Sequence, residues 1–147
     1  MALTPGATAL AQTATGQFAV RSTVVNSCTV TAADINFGNY VTTAASTAST
    51  GINLQCTKGA AATVALDGGG TGNAAARAMT GPATLTYQLY TNAALTTAIN
   101  TTTATFTLTS AQNTGAVVVY TVYGQVPAGQ SVPAGAYTDT IHITVSF

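Results

Sequence analysis

Charged residues are scarce in this sequence: they make up 4% of its 147 residues, with three Lys or Arg, three Asp and no Glu. Nucleic-acid binding needs a basic stripe that releases counterions, and membrane-surface binding needs a basic amphipathic helix. Neither pattern is present, so we expect no nucleic-acid partner and no membrane insertion. Solubility must come from Thr, Ser, Asn, Gln and Gly instead.

Long apolar runs are also missing, and none approaches the roughly 20 residues of a membrane span. Ala is abundant, but it occurs mostly in mixtures with Thr and Ser that lack the apolar stripe of an amphipathic helix. The remaining signal is the dominance of Thr and Val in runs bounded by Gly, Asn and Pro. This composition predicts an all-β fold.

The chain is long enough for one domain with a core and too short for two of ordinary size. Strands are predicted at residues 17–30, 51–57, 63–67, 84–90, 103–108, 116–125 and 137–147, with a further short strand at 35–40. This pattern favours a two-sheet sandwich of immunoglobulin type, with a closed barrel as the alternative. Residues 42–50 and 96–103 are predicted to be loops or weak edge strands.

The last predicted strand alternates apolar and polar side chains, as a strand with one buried face does. Its apolar face carries Tyr137, Ile141, Ile143, Val145 and Phe147. No further strand follows to cover this face in the sequence. We expect the strand to lie inside a sheet or to form an edge whose unpaired backbone groups are open to a partner.

A similar alternation precedes the first cysteine, with Ala14, Gly16, Phe18, Val20 and Val24 on one face. A loose strand at one end and a free edge at the other allow head-to-tail polymerisation, because such heterologous contacts build a filament unless they close into a ring. Residues 1–11 end in small residues typical of a signal-peptidase site but lack a complete signal. We interpret them as the tail of a leader or an artificial remnant.

Two cysteines, Cys28 and Cys56, lie on or beside predicted strands, with no second Cys or His close in sequence. A disulfide between neighbouring strands would contribute about 3 to 4 kcal/mol through loop closure. A pair of reduced, buried thiols in a cytosolic protein is the alternative.

Other candidate residues are interpreted as structural. His142 has no Glu or Cys beside it and is not expected to bind a metal or act as a base. The glycine-rich segment 67–73 lacks the residues of a phosphate loop or a calcium loop and predicts a tight turn. Arg77 is expected to form a surface ion pair with Asp67 or Asp139. The strand tyrosines are expected in the core rather than on a sugar-binding platform. We predict no catalytic residue, metal or cofactor.

A series of motifs, in order from about Thr13 to Phe147, resembles the spore coat protein U domain of the major pilins of archaic chaperone-usher pili. The motifs are Phe37-Gly-Asn-Tyr40, Ile52-Asn-Leu-Gln-Cys56-Thr, Leu66-Asp-Gly-Gly-Gly70, Arg77-Ala-Met79, Leu85-Thr-Tyr-Gln-Leu-Tyr90, Val122-Tyr-Gly-Gln125, Pro133-Ala-Gly-Ala-Tyr-Thr-Asp-Thr140 and Val145-Ser-Phe147.

The resemblance implies an incomplete immunoglobulin-like sandwich that lacks its last strand. A periplasmic chaperone lends this strand first, and at an outer-membrane usher the N-terminal extension of the next identical subunit replaces it. Residues 12–21 would then be the donor extension and 22–147 the pilin domain. Carried over by position, the donor residues are Ala14, Gly16, Phe18 and Val20, the C-terminal strand lines the acceptor groove with Ile141, Ile143, Val145 and Phe147, and Cys28 and Cys56 form the family disulfide.

The resulting expectation is a secreted structural subunit, not an enzyme, that passes through the periplasm and polymerises by donor-strand exchange. Its fibre, a fimbrium on the cell surface, would serve attachment and biofilm formation. The alternative is a secreted coat or carbohydrate-binding β-sandwich that completes its own sheet with its N-terminal strand.

Overall fold

The computed structural model describes residues 1–6 and 8–147, and in that part of the chain the regular structure is almost entirely β. One short 3-10 helix, Gly69–Thr71, is the exception among the described residues. The strands are β1 (Cys28–Ala32), β2 (Ser46–Cys56), β3 (Ala62–Leu66), β4 (Ala78–Thr80), β5 (Thr84–Thr86), β6 (Gln88–Tyr90), β7 (Ala104–Leu108), β8 (Val118–Val126) and β9 (Ile143–Ser146). The all-β prediction is confirmed.

The strands form two main antiparallel sheets and a small hairpin. One sheet has the order β1-β2-β8-β6, the other has the order β7-β3-β9, and β4 pairs with β5. Both main sheets have free edges, so the fold is an open sandwich and not a closed barrel. The core lies between the sheets, and several inward side chains of the central strands are at most 2% exposed there: Ile52, Leu54, Val64, Leu66 and Val122.

Several predicted strand boundaries are wrong. The first strand begins only at Cys28, and residues 8–27 form no strand, because an extended segment without a neighbouring strand has no ladder to stabilise it. The last strand covers only Ile143–Ser146, and residues 35–40 form none. The segment 84–90 splits at Tyr87, where the chain passes from the hairpin to the larger sheet.

The expectation of a surface ion pair at Arg77 is also wrong, since this side chain is 0% exposed. Its Nε and Nη2 donate to the carbonyl oxygen of Asp67 at 3.1 and 2.7 Å. Its Nη1 donates to the carbonyls of Ala74 and Ile99, at 2.9 and 2.6 Å, and to Oε1 of Gln88 at 3.0 Å. Burial lowers the pKa of the guanidinium, and the carbonyl dipoles stabilise the charge that no carboxylate contacts.

Candidate subunit interface

Two free strand edges lie side by side on one flank of the sandwich. Among the described strands, β1 pairs only with β2, and β9 pairs only with β3. β1 and β9 nevertheless lie close to each other, each at the edge of its own sheet. Each edge therefore carries unpaired backbone N–H and C=O groups on the same flank of the molecule.

The inward side chains of these two edge strands are not fully covered. Cys28 and Val30 of β1, and Ile143 and Val145 of β9, pack on the core but remain half-buried, and Phe147 is 58% exposed. By contrast, the inward residues of β2 from Ile52 to Cys56 and those of β3 are at most 3% exposed. These half-buried side chains form an apolar surface along β1 and β9, which we call the β1–β9 groove and which an added strand could cover.

The opposite flank is bridged by aromatic and aliphatic side chains. The rings of Phe106 on β7 and Tyr120 on β8 stack with centroids 4.7 Å apart. Ile99 is buried there, and its N–H donates to the carbonyl of Leu89 at 2.8 Å. Burial raises the pKa of Tyr120. The side chains on this flank therefore contact one another across the two sheets.

The predicted acceptor residues lie together along this groove. Ile141, Ile143 and Val145 are half-buried against the core, Phe147 follows them, and the alternating residues of the strand face outward, as the periodicity predicted. The β1 residues that line the groove were not predicted from the sequence. Val30 and Ile35 pack on the same core from that side, and the shared parity of Cys28 and Val30 was the available signal.

The predicted donor residues lie outside the folded domain. Ala14, Gly16, Phe18 and Val20 are all exposed, Phe18 to 88% and Val20 to 84%. Exposed aromatic and aliphatic side chains at regular spacing are unfavourable in water unless another surface covers them.

The junction between the extension and the domain is held at Thr57. Its hydroxyl donates to the carbonyl of Val25 at 3.1 Å and accepts from the N–H of Ser27 at 3.1 Å. The residue after Ser27, Cys28, forms a disulfide with Cys56, which confirms the predicted pairing. The extension therefore leaves the domain at a fixed point, at the end of β2.

Hydrogen bonds fix the residues that precede β9, at the end of the sandwich away from the disulfide. The Asp67 carboxylate accepts from the backbone N–H groups of Gly69 and His142, at 3.0 and 2.9 Å, and its Oδ2 lies 2.7 Å from Nδ1 of His142. Burial alone would raise the pKa of Asp67, but these hydrogen bonds and the histidine outweigh it and lower the pKa. Asp139 accepts from the N–H of Gly70 at 2.8 Å and from the Tyr87 hydroxyl at 2.6 Å. Burial and this carboxylate raise the pKa of Tyr87.

The segment 67–73 forms a turn with the short helix, as predicted, and His142 takes part in a structural contact with Asp67. Within residues 1–6 and 8–147, no three His, Cys, Asp or Glu side chains form a group that could hold a metal ion. No helix in this part of the chain is long and apolar enough to cross a membrane.

Comparison with known proteins agrees with this geometry. The family model of the Spore Coat Protein U domain matches residues 14–144. The chain belongs to the Spore Coat Protein U domain family. No curated protein is similar enough in sequence to be matched.

Among solved structures, this family member is similar to a chain of the CsuC–CsuE chaperone–tip adhesion subunit pre-assembly complex from the archaic chaperone-usher Csu pili of Acinetobacter baumannii. The TM-score is 0.62 at 25% sequence identity, and the match covers 85% of this chain. It covers 40% of that chain, so the present sequence spans less than half of the structure that it resembles. The family and this likeness support a pilin-like, structural role.

Proposed function

We propose that this protein is a secreted pilin subunit that polymerises by donor-strand exchange. The half-buried inward faces of two neighbouring free edges, β1 and β9, carry the proposal. A strand inserted between them would bond to backbone groups on both sides and cover the β1–β9 groove. We assign residues 22–147 to the pilin domain and 12–21 to the donor extension.

The extension has the side chains that such a groove needs. Phe18 and Val20 are almost fully exposed, and burying each would contribute roughly 1.5 to 3 kcal/mol. Ala14 and Gly16 have small side chains and would add little buried apolar area. The extension of one subunit therefore fills the groove of the preceding one, and the identical subunits join head to tail without a covalent bond.

The family and the structural neighbour support the remaining partners and the location. A periplasmic chaperone covers the β1–β9 groove before assembly, and an outer-membrane usher exchanges it for the extension of the next subunit. The fibre is a fimbrium on the cell surface, and attachment and biofilm formation are its roles. A non-enzymatic role agrees with this structural assignment.

The variant Phe18→Asp tests the proposal, because it places a carboxylate where the groove needs an apolar side chain. We expect the variant to fold and to bind the chaperone but to form no fibres, as seen by electron microscopy and by oligomers that resist denaturant. Ala19→Asp, with its side chain on the other face of the extension, is the matched control and should still form fibres.

Normal fibres from Phe18→Asp would contradict the donor assignment. A wild-type chain that remains a compact monomer at every concentration would favour the self-completed sandwich instead.

A further inference from the structure

The exposed charges of this protein are divided between the two ends of the sandwich. We call the end where the extension leaves, at Cys28 and Cys56, the exit end. β2 and β9 run toward it, whereas β1 and β3 run away from it. Lys58 follows β2 at the exit end, and Arg21 lies on the extension that leaves there. Asp34 follows β1, Asp67 follows β3, and Asp139 precedes β9, so the three Asp side chains lie at the opposite end.

Three of these charged side chains are free to meet a partner. Asp67 and Asp139 are already hydrogen-bonded within the domain. Asp34, Lys58 and Arg21 are exposed, and within the described part of the chain their side chains form no hydrogen bond and no ion pair. The subunit thus presents a free carboxylate at one end and free cations at the other.

The topology decides which ends meet in a growing fibre. A donor strand parallel to β9 would leave the groove at the exit end of the acceptor, so that two exit ends would face each other and hinder a third subunit. A donor strand antiparallel to β9 leaves at the opposite end. The exit end of each incoming subunit then contacts the Asp-bearing end of the preceding subunit. Because every subunit has both ends, this head-to-tail contact can repeat along a fibre.

One register of the donor strand would bring a pair of opposite charges together. The donor would run parallel to β1, and Ala14 to Val20 has the same number of steps as Cys28 to Asp34. Parallel strands rise equally, by about 3.3 Å per residue. If Ala14 enters at the level of Cys28, Val20 reaches the level of Asp34, and Arg21 emerges beside it.

We propose that Asp34 is the docking site for Arg21 of the next copy of this chain, and that this pair orients the incoming subunit. The inference depends on the proposed donor-strand assembly. Lys58 of the same incoming subunit adds positive charge at this junction. An exposed ion pair adds little to stability, but complementary charge accelerates encounter and disfavours the wrong orientation.

Charge exchange in the full-length chain tests the pair. The chain is refolded by dilution, and the growth of denaturant-resistant oligomers is followed over time. We expect Arg21→Glu and Asp34→Lys each to slow assembly about three- to tenfold at low ionic strength. The double variant should recover most of the wild-type rate, and about 0.5 M salt should remove the differences. Thr107→Asp, an exposed site on β7 at the edge of the sheet away from β9, should assemble normally.

Two outcomes would overturn the pair: single variants as fast as wild type, or a double variant no faster than the slower single one. Phe18→Asp, measured beside them, separates this failure from that of the donor assignment. If Phe18→Asp blocks growth while the charge variants do not matter, donor exchange stands without the Arg21–Asp34 pair. If Phe18→Asp grows normally, both proposals fail.

Discussion

Replacing the buried arginine is the most demanding test of how this core is held together. In Arg77→Met the side chain keeps much of its apolar length but loses every donor. The carbonyls of Asp67, Ala74 and Ile99 lose their bonds to the guanidinium. Each unsatisfied buried acceptor lowers the free energy of unfolding by about 1 to 3 kcal/mol. The variant recovers part of this free energy because methionine, unlike arginine, has no charge to desolvate on folding.

Three carbonyls lose their donor, so we expect the free energy of unfolding to fall by about 3 to 5 kcal/mol after this partial recovery. This is a large part of the roughly 5 to 15 kcal/mol that stabilises a typical domain. Arg77→Lys should also destabilise, because an ammonium group cannot reach these separate carbonyls with one planar fork.

Guanidinium unfolding, followed by the fluorescence of the six tyrosines in a protein without tryptophan, measures the effect. Every chain compared carries Phe18→Asp, which blocks the proposed assembly, because subunit contacts would otherwise add to the apparent stability. Arg21→Met, an exposed site, should change the free energy by no more than about 0.5 kcal/mol. If Arg77→Met unfolds at the same denaturant concentration as wild type, the carbonyl network does not stabilise the fold and the reasoning is wrong.

Two further predictions concern the ends of the sandwich. Replacing both cysteines with alanine opens a loop with a sequence separation of 28 residues, so unfolding free energy should fall by about 3.6 kcal/mol in denaturant melts without reductant; an unchanged midpoint would show that the bridge adds nothing. Because hydrogen bonds lower the pKa of Asp67 from its ordinary 3.8, its ionised form stabilises the fold above about pH 4, and this contribution is lost as pH falls through the lowered pKa. Urea midpoints between pH 2 and 6 should therefore drop more steeply for wild type than for Asp67→Asn, with Asp34→Asn as the control, and equal slopes would contradict the assignment.

Much of the fold followed from local patterns. Two-residue alternation correctly predicted the inward residues of β9, and runs of Thr and Val located most strands to within a few residues. The strand boundaries were predicted wrongly where pairing with a neighbouring strand decides whether a segment forms a strand. Residues 46–50 looked like a loop or weak edge because they are small and polar, yet they pair with β8 along one side. Residues 17–27 look like a strand but have no neighbour to pair with.

The sequence by itself determined the β character, the alternating faces of the two terminal segments and the shortage of charge, because each depends on neighbouring residues in the chain. Only the tertiary structure decided that Arg77 is enclosed by the carbonyls of Asp67, Ala74 and Ile99. It likewise placed β1 beside β9 as the second wall of the groove and gathered the three Asp side chains at one end. These features depend on which segments meet in space, and that choice is made by packing and hydrogen bonding over the whole domain, which no local pattern records.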